Sequence, residues 1–312
     1  MLHAASSTLG PADTAAAPVP ISVVVLSCNK EHSIADCLES CRWCDDVHLL
    51  DGGSGDRTSR IAHAMGASVH YNPFESLGQQ RNWAIDHVPC KHPWHFHLDA
   101  GERFTPKLVA ELAREVGCGG TRSAVGAYRC PSKMIFMGRW IRHSSGYPDY
   151  QVRLFNPRHC RFVDLDGRQQ GACAQCDREV GTLINAYIHY ECSRGMIDWL
   201  EKHNHDSSHE ADEVLAADHR GKPRRRDLLG RDPASTRRAI SDRGDFGKGR
   251  GLWRFLSLYL LRAGFLDGMP GFHYCTATAM YEYWLALKIR ERREPWTEAT
   301  DRLTADLLKE PS

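Results

Sequence analysis

The sequence predicts an α/β fold: a mostly parallel sheet flanked by helices, with a C-terminal appendage of amphipathic helices. Three observations carry this prediction. Short, β-branched, continuously apolar runs alternate with segments of helical periodicity over residues 21–120, as expected for strands buried on both faces. The connections between them are short, as crossover units require. Each apolar run also ends in small polar or acidic residues, and parallel sheets bind ligands at the carboxyl ends of their strands.

The elements follow in order. Residues 1–20, rich in Ala, Pro, Ser and Thr without periodicity, read as a disordered tail. Residues 21–27 (ISVVVLS) are the first strand. Ile34, Cys37, Leu38 and Cys41 recur at helical spacing, giving a helix that ends near Trp43. Residues 47–50 are a second strand, leading into the turn Asp51-Gly52-Gly53-Ser54-Gly55. A helix over 56–65 closes at Gly66, a residue suited to a left-handed cap. A strand at 67–71, a helix at 79–87 and a strand at 94–98 follow. Thr105-Pro106 then opens another helix, with Pro where its missing N–H costs nothing. Beyond about residue 124, short strand-like pieces at 125–130, 152–155 and 161–163 are separated by Gly- and Pro-bearing loops. Residues 193–217 are helical, 218–250 are basic and linker-like, and 252–261 and 272–289 are amphipathic helices.

Composition narrows the class. With 312 residues, 42 % hydrophobic and 25 % charged, the chain can build a sizeable core without staples. The net charge of +1 predicts no partner by itself, but its distribution is uneven: residues 219–254 hold twelve Lys or Arg against four Asp. The twelve cysteines are scattered over predicted strands, helices and loops, and no secretory signal pattern opens the chain, so they read as reduced cytosolic thiols. No stretch approaches the roughly 20 apolar residues of a membrane span.

Two clusters carry chemistry. Asp51-Gly-Gly-Ser54-Gly-Asp56-Arg57-Thr58 places a carboxylate at a strand end before a Gly-rich turn, able to hold a base and ribose or simply to join strand to helix. Leu98-Asp99-Ala100-Gly101-Glu102 sets close carboxylates after a buried strand, which suits a hard divalent cation or a solvated acidic turn. Taken in order with Asn29, Gly78-Gln79-Gln80-Arg81-Asn82, 137–143 (MGRWIRH), 147–155 (YPDYQVRLF) and 264–268 (GFLDG), the chain resembles glycosyltransferase family 2 over roughly residues 21–290, and within it bacterial lipopolysaccharide-core and exopolysaccharide enzymes.

That resemblance implies a GT-A type fold and an inverting sugar transfer from a nucleotide-sugar donor to a lipid-linked or polysaccharide acceptor. It places Ser27, Asn29, Asp51 and Ser54 on the base and ribose, Asp99 on the diphosphate and Mg2+ or Mn2+, and Arg81 and Asn82 around the donor pocket. Residues 21–190 would be the catalytic domain, with a nucleotide-sugar half over 21–120 and an acceptor half over 121–190. A helical segment and basic linker (191–250) and C-terminal helices (251–312) would follow. Two departures stand out. The family's second metal-turn Asp is Gly101 here, leaving Glu102 to reach the cation or metal binding weakened. The stretch that supplies the base carries no Glu, leaving Asp164, Asp166 or Asp149. A chain that had lost both groups would bind nucleotide-sugar without turnover.

Competing motifs weigh less. Cys37-x3-Cys41-x2-Cys44 has the spacing of a radical S-adenosylmethionine cluster, but the first two cysteines share a helical face with Leu38 and read as core. Cys173-x2-Cys176 has zinc-knuckle spacing without a second pair. His203, His205 and His209 read as a wet helical face. The basic segment beside aromatic helices suits an anionic membrane surface rather than nucleic acid, giving a cytoplasmic protein peripheral to the inner face of the plasma membrane.

Overall fold

The computed structural model describes residues 19–117, 124–164, 172–218, 249–293 and 296–308. The tail expected over 1–20 and the linker expected over 218–250 therefore lie almost wholly outside the described residues. Strand β1 (Ile21–Ser27) is buried at every position. It pairs in parallel with β2 (Val47–Asp51) on one side and β4 (Trp94–Asp99) on the other, while β3 (Ser68–Tyr71) extends the sheet beyond β2. The crossovers are α1 (Ile34–Glu39), α2 (Thr58–Ala64) and α3 (Leu77–His87). Alternation sorts the strand residues by face. Val23, Val25, Leu49, Phe96 and Leu98 join the main core, whereas Val24, Leu26 and Leu50 pack on Ala84 and Val88 of the α3 layer. Each such fully buried side chain contributes about 1.5–3 kcal/mol.

Helix α4 (Pro106–Val116) starts as expected, with Pro in the first turn and Thr105 Oγ1 accepting from the Leu108 N–H. Beyond it the sheet is more extensive than the short pieces suggested. After β5 (Glu102–Arg103) come β6 (Val125–Phe136), β7 (Arg139–Trp140), β8 (Asp149–Phe155), β11 (Glu179–Thr182) and β12 (Tyr187–Tyr190), with β9 (Cys160–Asp164) and β10 (Ala172–Cys176) forming a separate antiparallel ribbon. The strand order is β3-β2-β1-β4-β8-β6-β12-β5, ten strands counting β7 and β11 beside β6. Strand β8 lies antiparallel between β4 and β6, and the two-residue strands β5 and β7 lie antiparallel to β12 and β6; the other five pairings are parallel, so the sheet is mostly parallel. Strand β12 runs along β6 and sets His189 opposite Glu102 of β5. The ribbon corrects one expectation: Cys160 and Cys176 face each other in register and are joined by a disulfide, so the cysteines are not all reduced thiols.

The C-terminal part comprises α5 (Met196–Asp218), α6 (Arg250–Leu256) with a π-helical continuation (Ser257–Leu261), a 3-10 turn (Gly264–Asp267), α7 (Gly268–Arg293) and α8 (Trp296–Leu307). No helix among the described residues is long and apolar enough to cross a membrane. This part is fastened to the sheet by Asp267, which is 4 % exposed. Its carboxylate accepts from the N–H groups of Arg142, His143 and Ser144 and from Ser144 Oγ, at 3.1, 2.9, 2.6 and 2.7 Å. The flanking glycines permit that approach: a Cβ on Gly264 would lie 2.7 Å from the Leu258 carbonyl oxygen, and one on Gly271 would lie 2.5 Å from that of Gly264. The GFLDG motif is thus a docking joint. Asp267→Ala should lower unfolding stability by about 2–4 kcal/mol, because several buried donors lose a charged acceptor. Urea denaturation measures this, and a loss below about 0.5 kcal/mol would contradict the joint.

Candidate functional site

Three strand ends meet on one edge of the sheet. Ser27 pairs with Asp51 across β1 and β2, and Leu26 pairs with Asp99 across β1 and β4, so the two carboxylates flank β1 within one residue step. The loops after β1 and β2 are stitched together. Ser54 Oγ accepts from Asn29 N–H at 2.8 Å, and Asn29 Oδ1 accepts from Gly55 N–H at 2.9 Å. Asn29 has the left-handed φ of 52° that this crossing needs. Asp51 is 5 % exposed; Oδ1 accepts from Gly53 N–H, Ser54 N–H and Ser54 Oγ, and Oδ2 from Ser59 Oγ. Asp51 therefore shapes the turn, while Cys28, Asn29, Gly53 and Gly55 present its exposed edge.

The second cluster forms a charge network. Arg153 of β8, 2 % exposed, donates from Nη2 to Asp99 Oδ2 at 3.1 Å and to Glu102 Oε1 at 2.5 Å. Arg81 of α3 reaches Asp99 Oδ1 at 3.4 Å. Burial alone would raise the Asp99 pKa, but Arg153 and Arg81 outweigh it and hold the carboxyl well below its usual range. The same carboxylates overcome the desolvation of Arg153 and raise its pKa. Glu102, 1 % exposed, also accepts from Asp99 N–H and faces His189 Nδ1 at 3.2 Å, so both of its oxygens are engaged. It supports the turn from below, and Asp99 is the carboxylate left facing the crevice, its side chain 34 % exposed.

His189 and Glu191 complete the network and were not legible beforehand. His189 Nε2 lies 2.7 Å from Glu191 Oε2, and Trp199 Nε1 donates to Glu191 Oε1 at 3.0 Å. Desolvation works against a charged His189, yet the hydrogen bonds to Glu102 and Glu191 raise its pKa to about 10. Burial likewise opposes ionised Glu191, but His189 brings it down to about 2. Opposite stands a cationic rim. Lys30 has its pKa lowered by burial and then by the charges of Lys202 and Arg194, while Glu191 and Asp99 pull it the other way. Arg194 Nη1 also donates to the Asn29 carbonyl at 3.0 Å, tying the β12 exit to the β1 loop.

The GQQRN motif proves to be mainly architecture. Both ends of the Asn82 amide clamp the Phe162 backbone, at 2.7 and 2.9 Å, rather than lining a pocket. Asp164, expected as a possible base, accepts from Ser76 Oγ at 2.6 Å and from Gly78 N–H at 2.7 Å. A Cβ on Gly78 would lie 2.5 Å from Asp164 Oδ1, so Gly is required there. Asp164 thus anchors the α3 start through both carboxylate oxygens. Asp149 opens β8 in an exposed position, and Asp166 lies outside the described residues. Arg81 Nη1 is buried beside Asp99 with no hydrogen-bond partner.

The competing motifs dissolve. Cys37 and Cys41 are buried in the main core, and the Cys41 and Cys44 thiols donate to the Cys37 and Ile21 carbonyls. Cys176 is consumed by its disulfide, which removes the zinc-knuckle reading. His203 stacks on Trp199, and His205 pairs with His209.

A mostly parallel α/β sheet that gathers acidic and basic groups at its carboxyl edge offers its ligand-binding crevice there. Residues 22–173 match the profile of glycosyl transferase family 2, so that stretch is a family 2 glycosyltransferase domain. The lipopolysaccharide core biosynthesis glycosyltransferase LpsC of Rhizobium meliloti (strain 1021) is 29 % identical over 103 residues, covering 31 % of this chain and 37 % of that protein. An uncharacterized glycosyltransferase of Rickettsia bellii (strain RML369-C) is 22 % identical over 303 residues, covering 93 % and 94 %. Among solved structures, glucosyl-3-phosphoglycerate synthase from Mycobacterium tuberculosis with Mn2+ and uridine-diphosphate-glucose is 21 % identical, covering 38 % of this chain and 45 % of that one at a TM-score of 0.31.

Arg153→Met should destabilise the fold by about 3–5 kcal/mol, since it leaves Asp99 and Glu102 without their shared cation. Arg153→Lys should recover only part of this, lacking the fork that reaches Asp99 and Glu102 together. Denaturation midpoints check both, and a Met variant as stable as the parent would contradict the network.

Proposed function

We propose that the protein transfers a sugar, with inversion, from a nucleotide-sugar to a lipid-linked or lipopolysaccharide glycan. The observation that carries this reading is that Asp51 and Asp99 flank β1 at one sheet edge, beside a rim of Lys30 and of Arg194, which is tied to the Asn29 carbonyl of the β1 loop. Such a rim stabilises the charge that develops on a departing diphosphate, while the Asn29–Ser54 loops take the nucleoside. Arg81 adds an unpaired donor beside Asp99.

The donor set fits one divalent cation weakly. Asp99, the carboxylate that faces the crevice, would hold Mg2+ or Mn2+, which when bound neutralises the diphosphate, while Glu102 is engaged by Arg153 and the Asp99 N–H. Arg81 and Arg153 already balance Asp99 and Glu102, so a cation there competes with two guanidinium groups. Position 101 has space for the missing carboxylate, because a Cβ there would meet only the Tyr190 carbonyl oxygen, at 3.6 Å. The base that takes the acceptor hydroxyl proton is Asp149 or Asp166, Asp164 being committed to α3.

Next to Glu191 a cavity of about 350 Å³ opens between α5, α6 and α7, lined by Trp199, Trp253, Tyr281, Arg250 and Glu282 among others. Aromatic faces for sugar C–H groups, with carboxylate and guanidinium partners for hydroxyls, suit a glycan acceptor. Close by, Leu260, Leu261, Phe265, Leu266 and Met269 are 54, 73, 48, 57 and 62 % exposed, an apolar surface suited to peripheral contact with an anionic membrane at its cytoplasmic face.

Calorimetry and turnover with UDP- and GDP-sugars, Mn2+ and membrane extract test the proposal. Asp99→Ala should lower transfer at least about a thousandfold. Asp51→Ala should mainly weaken donor binding, on the order of tenfold. Gly101→Asp should tighten Mn2+ binding in the presence of nucleotide. Asp149→Asn and Asp166→Asn identify the base, and full activity in both would remove both candidates. Failure to bind any nucleotide would overturn the reading, and binding without turnover would leave a non-transferring nucleotide-sugar protein.

A further inference from the structure

The opposite, amino-terminal edge of the sheet carries a second set of ligating groups that the crevice does not use. Ser22 and Val24 of β1 face the α3 layer, and so do their register partners His95 and His48. Just past the end of α3 the chain crosses this edge through Cys90, Lys91 and His92. There Asp46, His48 and Cys90 each bring one ligand atom within 4.8 Å of the others. Asp46 is 5 % and His48 3 % exposed, and Cys90 is half-buried. Five strand residues separate Ser22 from Ser27, about 17 Å at the parallel-strand rise, so this cluster is remote from the crevice.

Its hydrogen bonds have the pattern of oriented ligands. Asp46 Oδ2 is held by Ser22 Oγ and by Lys91 N–H at 2.8 Å, which leaves Oδ1 toward His48 Nε2 at 3.1 Å. The other ring nitrogen, His48 Nδ1, is held by His70 Nε2 at 3.1 Å. Carboxylate and imidazole are thus each anchored through the atom that would not ligate, which is how outer partners fix metal ligands. The Cys44 thiol lies against the Asp46 backbone, 3.2 Å from its carbonyl oxygen. Lys91 Nζ sits 3.9 Å from Asp46 Oδ1 on a side chain 63 % exposed, so an arriving cation can displace it into solvent. One oxygen, one imidazole nitrogen and one sulfur favour a borderline-soft tetrahedral ion over Mg2+ or Ca2+.

We propose that Asp46, His48 and Cys90 form a transition-metal site occupied by Zn2+, with water in the fourth position, that fastens the segment after α3 to β1 and β2. This site is independent of the nucleotide reading. The full chain, purified without chelator, should carry about one zinc by plasma mass spectrometry. After stripping, titration with Co2+ alone should give a thiolate-to-cobalt charge-transfer band in the near ultraviolet that Zn2+ abolishes. Cys90→Ser should remove the band, and Ser22→Ala should keep it with about tenfold weaker Co2+ affinity. Asp99→Ala and Cys28→Ser, at the other edge, should leave it unchanged. Circular dichroism establishes that each variant is folded, and the parent spectrum decides even where a variant is not. Absence of the band in the parent chain, or its persistence in folded Cys90→Ser, would overturn the proposal.

Discussion

The buried guanidinium of Arg153 is the contact on which the carboxyl edge of the sheet depends. Asp99 and Glu102 both approach its Nη2, one from the end of β4 and one from β5. Two carboxylates about 5 Å apart repel by roughly 3 kcal/mol at an effective dielectric near 20, and more as burial deepens. With Arg153 between them, and Arg81 on the far side of Asp99, that repulsion becomes attraction. The acidic turn can then fold back tightly enough for the Asp99 N–H to reach Glu102 Oε2. The antiparallel insertion of β8 between β4 and β6 is what delivers Arg153 there.

The same constraint explains why α3 carries so much polar sequence. Four of the five residues 78–82 each have a separate structural partner: Gly78 makes room for Asp164, Gln80 exchanges hydrogen bonds with Asn72, Arg81 meets Asp99, and Asn82 clamps Phe162. Only Arg81 among them reaches the crevice chemistry. The helix is held at its start by the β9 end and along its length by the β9 backbone, so the position of the Arg81 guanidinium is set by contacts remote from any ligand.

The first half of the sheet was legible because its signals are local. The apolar runs of β1, β2 and β4 have no face that tolerates water, and the polar residues that end them fall on one edge once the strands are parallel. The other half hid for the opposite reason. Strand β12 is four residues long and half-exposed, with the mixed sequence YIHY, so neither periodicity nor apolarity marks it. Its value to the site arises only from pairing with β5 and β6, which sequence spacing does not encode. Arg153 offered a fainter signal: a charge inside the apolar run QVRLF implies a buried partner, though not which one. The hold of Asp164 on the α3 start was invisible for the same reason: a carboxylate that meets a helix from 86 residues away looks, in sequence, like any other acid near the site.

The C-terminal helices are joined to the site through more than proximity. Glu191, at the exit of β12, receives His189 on one oxygen and the indole of Trp199 on the other, and Trp199 belongs to α5. Trp199 packs in turn with Phe136 of β6 and Ile141, and Tyr274 and Ala277 of α7 close over them. A single chain of buried contacts therefore runs from Glu102 through His189, Glu191 and Trp199 to α7, while Asp267 pins the α7 start to the loop after β7. Any change that reorients Trp199 alters the acceptor held opposite His189, and through it the proton that His189 shares with Glu102. The cavity and the acidic turn are thus two ends of one hydrogen-bonded path, which makes the helical part a wall of the site rather than an attachment to it.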